Sequence, residues 1–145
     1  MNQSCPVSFS KVDSIKVRIS AFIYSFLIIY FFIFQNALFL ALILLDLVLK
    51  NIDKRYAPIF IVSSTISKIL NLKPIYEDNA PKKFASKIGI VIILLSLIFY
   101  KLDKNISDLL ILIFLICAFL EAVFSYCVGC KMYSIFNYFQ KKFYQ

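Results

Sequence analysis

The sequence predicts an all-α integral membrane protein: a four-span helical bundle with one amphipathic helix in its long loop and another in its C-terminal tail. Three observations lead there. Hydrophobic residues make up 61% of the 145 and charged residues only 17%, where a soluble domain is about half apolar. The apolar residues fall in continuous runs rather than in the alternation a membrane barrel needs, so they read as helices. Two Gly and four Pro are too few for a turn-rich β fold. At this length the chain is one domain, 1–145.

The first span is read over about 19–34. Gln35-Asn36 is the only polar break before a second run, 37–50, so the two form a tight hairpin. The apolar part of that second run, Ala37 to Leu49, is short: 13 residues at ~1.5 Å each cover about 20 Å of a ~30 Å hydrocarbon core. It must therefore extend beyond Lys50 or begin earlier. Residues 84–100 form the third span, with Gly89 as a close-packing position. Pro81 suits a first helical turn, with Asn79 near the cap. The fourth span covers about 109–128. Between the second and third spans, residues 58–70 carry Ile59, Val62, Ile66, Ile69 and Leu70 at helical spacing beside Ser63, Ser64, Thr65 and Lys68. This stretch is an interfacial helix, or one packed under the bundle. In the tail, 131–143, Met132, Ile135, Phe136, Phe139 and Phe143 share a face next to lysines, a second interfacial helix. Lys73 to Pro81 reads as loop. The polar lead of the first 16 residues, with no small-residue cleavage site after the first apolar run, does not read as a cleavable signal peptide.

Orientation follows from basic residues. Fourteen of the 16 lie in the N-terminal segment, the Lys50–Lys87 connection and the tail; Lys101 and Lys104 face the other side. Positive residues stay inside, so both termini are expected in the cytoplasm of an inner-membrane protein. The net charge of +8 suits anionic headgroups. No nucleic-acid-binding motif accompanies it, and no nucleic-acid partner is expected.

The chemistry-bearing residues are few. The chain has no His, which excludes His-based triads, mixed Cys/His zinc sites and His-ligated haem. Cys127-Val128-Gly129-Cys130-Lys131 carries two thiols three residues apart, about 60° apart on a helix. Redox dithiols and thiolate metal sites use that spacing. Cys5-Pro6 places a further thiol near a helix start, whose partial positive charge favours a thiolate; an inert thiol in a turn is the alternative. With four spans, Cys5, Cys127 and Cys130 reach one cytoplasmic rim. Cys117, ten residues before Cys127 and so about 15 Å deeper, is a small buried apolar residue. Glu121 shares a helical face with Cys117, and a carboxylate at that depth is neutral or paired. Arg18 and Lys87 are its candidate partners, in a structural or a proton-handling role. Asp46 is read as shallow and pointing to the water interface, with a buried pair to Arg18 as the alternative.

Three segments carry a family resemblance. Cys5-Pro6-Val7-Ser8-Phe9 with Val12-Asp13 and Arg18, Pro81-Lys82-Lys83-Phe84-Ala85 with Ile88-Gly89, and Leu120-Glu121-Ala122 followed by Tyr126-Cys127-Val128-Gly129-Cys130-Lys131 and Tyr133 together resemble a bacterial membrane family labelled domain of unknown function 4395. The resemblance implies a small multi-span membrane protein and assigns no activity. Three readings stay open, and with them whether the protein is an enzyme and which cofactor, if any, it uses. In the first, Cys127 and Cys130 perform thiol redox or sulfur relay with Cys5, supported by the charges of Glu121 and Arg18, and a cytoplasmic thioredoxin-like or sulfur-carrier protein is the partner. In the second, Cys5, Cys127 and Cys130 bind a metal and leave one coordination position open. In the third, the protein is a non-catalytic membrane subunit and its cysteines only pack.

Overall fold

The computed structural model describes residues 11–53, 55–124 and 128–144. Among them are six helices and two three-residue strands. The strands β1 (Lys11–Asp13) and β2 (Tyr76–Asp78) pair antiparallel, Lys11 opposite Asp78 and Asp13 opposite Tyr76. Both fall in segments expected to be polar lead and loop. Three residues are too few to display an alternation, so only their pairing marks them as strands.

Helix α1 (Ser14–Phe34) follows β1 directly. Asp13 is its N-cap, its carboxylate accepting the Ile15 amide at 3.1 Å, and this cap carries the helix five residues ahead of the expected start. At the other end Gln35 adopts a left-handed conformation, φ 52°, and returns its N–H to the Phe31 carbonyl at 2.7 Å. Asn36 then caps α2 (Ala37–Ile52) by accepting the Leu38 amide at 3.1 Å. Two residues thus reverse the chain. Helix α3 (Pro58–Ile69) has Pro in its first turn, where the missing N–H costs nothing. Helix α4 (Asn79–Leu102) and α5 (Lys104–Phe124) are separated by Asp103 alone. The last helix, α6 (Val128–Phe143), includes Val128, which the sequence pattern had assigned to the fourth span.

Four helices close a ring: α1 packs on α2 and α5, and α4 packs on the same two. The Tyr100 hydroxyl donates to the Gln35 carbonyl at 2.7 Å, so the α1–α2 and α4–α5 turns lie at one end of the bundle. The strand pair and the ends of α3 and α6 nearest the bundle belong to the other. Helix α3 lies against α1, and α6 against α4. The core is built by Ile28, Phe31, Leu40, Ile43, Ile93 and Ile111, all fully buried.

The outer surface reverses the pattern of a water-soluble bundle. Phe22, Phe26, Ile33, Leu42, Ile98 and Ile116 are all exposed, whereas Ser20, Ser63, Ser96 and Ser107 are fully buried. Small hydroxyl residues let helices approach closely. Their polar atoms are satisfied internally: Ser20 donates to the Val17 carbonyl at 2.7 Å and Ser107 to Ser96 on the neighbouring helix at 2.8 Å. Three helical segments, Ser14–Phe34, Ala80–Leu102 and Lys104–Phe124, are long and apolar enough to cross a membrane. The fourth helix of the ring, α2, has 16 residues, about 24 Å at 1.5 Å per residue, and does not reach that length.

Candidate functional site: a cavity inside the bundle

The four-helix ring encloses a cavity of about 350 Å³. Its walls change character along the helices. On α4, Lys82, Lys83 and Ser86 give way to Ile88, Gly89 and Ile92; on α5, Glu121 and Cys117 give way to Phe114 and Ile113. Helix α2 follows the same order, with Lys50 and Asn51 above Leu47. The polar mouth therefore lies at the strand-pair end and the apolar floor toward the middle of the bundle. Val128, Gly129 and Met132 of α6 border the mouth.

The mouth is a charged network. Glu121 is half-buried on α5, one helical turn beyond Cys117, and both face the cavity as their spacing predicts. The Lys50 ammonium lies 5.6 Å from the Phe60 ring centre, within cation–π range. Asn51 donates to Ser86 Oγ at 3.0 Å and to its own helix at Leu47, which ties α2 to α4. Lys82 Nζ sits 2.9 Å from Glu77 Oε2 on β2. The Lys82 hydrogen bond holds the Glu77 carboxyl below its usual pKa, with smaller help from the Ser14 hydroxyl and the Arg18 charge. The Arg18 charge, expected to meet Asp46 or Glu121, is the least of these influences on Glu77.

Asp46 departs most from expectation. It is fully buried rather than turned to water. The Tyr24 hydroxyl donates to one carboxylate oxygen, and the Ile59 amide donates to the other at 2.7 Å. Ile59 lies in the first turn of α3, whose own N-cap, Ala57, makes no side-chain bond. Asp46 therefore caps α3 from a different helix, placing a carboxylate at the positive end of that helix.

Of the candidate thiols, Cys5 and Cys127 lie outside the described residues, and Cys130 is placed only as a member of the first turn of α6. Among the described residues no group of three His, Cys, Asp or Glu side chains is arranged to hold a metal. The glycine between the paired cysteines is well placed. A Cβ built on Gly129 would stand 2.4 Å from the Ala85 Cβ and 2.7 Å from its Cα, so only glycine lets α6 cross α4 here. The stacked Phe84 and Phe136 rings continue the contact, their centres 6.4 Å apart.

The profile of the family described as Domain of unknown function (DUF4395) matches residues 12–137. The chain belongs to the DUF4395 family. No curated protein and no solved structure gives a match. In this DUF4395 chain the matched region holds the whole helix ring and all but the end of α6, with the cavity between them. Reading by motif missed Tyr24, Lys50, Asn51 and Ser86 as cavity residues. No local signal marks them, because they come from three helices and meet only through packing. Lys82 stood within a family motif, yet its tie to Glu77 depends on the unexpected strand β2.

Proposed function

We propose that the protein is a four-pass inner-membrane protein, both termini cytoplasmic, that presents Cys127 and Cys130 for thiol exchange at the mouth of the bundle cavity. One observation carries the reading: Val128 and Gly129, the two residues between the thiols, line that mouth. The exposed apolar belt supports membrane insertion, and the lysine asymmetry between the two bundle ends supports the orientation. Cytoplasm is reducing, so the pair acts as acceptor from a thioredoxin-like dithiol rather than as a disulfide generator. A partner thiolate attacks one sulfur of the Cys127–Cys130 disulfide and the other leaves as thiolate. The second partner thiol then resolves the mixed disulfide. The partner loses two electrons and two protons, and the pair gains them. In sulfur relay one of the same thiolates attacks the outer sulfur of a partner's persulfide, takes that sulfur as its own persulfide, and the partner's cysteine leaves as thiolate.

Differential alkylation tests this reading. Membranes treated with and without reductant should show a Cys127–Cys130 disulfide that closes and reopens, labelled only by membrane-permeant reagents in intact cells. A pair that never closes in purified protein, or that is modified from outside, overturns it. The Gly129–Ala85 contact favours a second reading, a non-catalytic membrane subunit in which the segment only packs. Retention of every phenotype by the Cys127→Ser/Cys130→Ser double variant selects that one.

A further inference from the structure

We infer that the bundle cavity binds a single-chain anionic amphiphile, an acyl chain ending in one carboxylate or phosphate, with its tail at the floor and its head at the lysine mouth. At about 350 Å³ the space falls within the range of small-molecule sites, which are mostly apolar with a few polar groups that orient the ligand. Its shape is a shaft: from Lys82 to Ile92 the α4 wall runs ten residues, about 15 Å. Polarity falls in the same direction along α2, α4 and α5, and on α1 the Ser20 and Tyr24 hydroxyls donate to Val17 and Asp46, which favours a ligand polar at one end. Charge selects the head. Three lysines, Lys50, Lys82 and Lys83, stand at the mouth, facing the carboxylates of Glu121 and Glu77, of which Glu77 holds Lys82. Lysines thus outnumber carboxylates at the mouth, and this excess of positive charge favours an anionic head. The floor offers the tail the Phe114 ring packed on Gly89, where an added Cβ would lie 3.0 Å from the ring.

This inference rests on the membrane-embedded bundle but not on the thiols, so the two proposals fail separately. The probe is a palmitic acid analogue with a photoreactive group on its chain, added to the full-length protein in phosphatidylcholine nanodiscs and mapped by peptide mass spectrometry. Saturable labelling is expected within Ile88–Ile92 or Ile113–Ala118, with palmitate competing at least ten-fold better than hexadecanol. The Lys50→Gln/Lys83→Gln variant should lose labelling about five-fold, and Ile92→Phe, which fills the floor away from the mouth, should lose it too. Cys127→Ser/Cys130→Ser should keep it. Extraction of the protein from native membranes then separates the sources, a free fatty acid from a lysophospholipid. Equal competition by hexadecanol overturns the anionic head. Labelling confined to outward residues such as Phe22 and Ile98 overturns the pocket.

Discussion

At Asp46 a single carboxylate joins three helices, accepting from Tyr24 on α1 while standing on α2 and capping α3. Removing it leaves the Ile59 amide and the Tyr24 hydroxyl without their acceptor in a buried place, at a cost of about 1–3 kcal/mol. Asp46→Ala should therefore lower the unfolding midpoint in mild detergent and speed hydrogen exchange in the first turn of α3, with little change in α5. Tyr24→Phe, which spares the cap, should lower the midpoint less and leave α3 exchange unchanged; equal exchange rates in both variants would refute the cap. Glu77 offers a pH test. Its pKa is lowered in the folded protein, first by the Lys82 hydrogen bond, so the pairing stabilises the fold fully above the unfolded value of about 4.3. That contribution fades as pH falls through the lower folded value. The Glu77 side chain is 52% exposed, and solvent keeps the effect small. The midpoint of Glu77→Gln should accordingly fall less than that of the parent between pH 5 and pH 3.

Two glycines set distances between helices, and they differ in what stands against them. A Cβ added at Gly129 would stand 2.7 Å from the Ala85 backbone, whereas one added at Gly89 would stand 3.0 Å from the edge of the Phe114 ring. A ring edge can tilt and a helix backbone cannot. Gly129→Ala should cost about 1–3 kcal/mol, the range for overpacking, and should weaken a cross-link engineered between α4 and α6. Gly89→Ala should cost less. Ala85→Gly should rescue Gly129→Ala only in part, because the Ala85 Cα remains in the way; full rescue would mean that side-chain contact alone sets the crossing. The same contact positions Val128 beside the cavity, so packing between these elements decides where the cysteine segment stands.

For the whole molecule, the bundle presents large apolar side chains outward and small hydroxyls inward, which in water would expose far more contiguous apolar surface than soluble monomers tolerate. In lipid the same arrangement is favourable, since helices there associate through close packing. Both ends of the short α2 are held by its neighbours, the Asn36 turn to α4 through Tyr100 and Asn51 to α4 through Ser86, which supports the proposed fourth crossing. Cysteine reporters test this on a background lacking native thiols. An impermeant maleimide added outside intact cells should label Asn36→Cys and Asp103→Cys and spare Lys73→Cys and Lys141→Cys; the same response at Asn36→Cys and Lys73→Cys would mean that α2 does not cross.

Composition and the lengths of the apolar runs determined the helical class, the near-positions of the helices and the presence of segments apolar enough to cross a membrane, because in lipid every backbone group must be satisfied within its own segment. The motifs at Pro81–Gly89 and Leu120–Tyr133 likewise pointed to the family without any structure. The i, i+4 spacing sufficed to put Cys117 and Glu121 on one face. Tertiary structure alone decided the strand pair, the burial of Asp46 and the cavity inside the ring of α1, α2, α4 and α5. Each of these depends on contacts between residues more than ten positions apart, and local periodicity carries no information on which helix a side chain will meet.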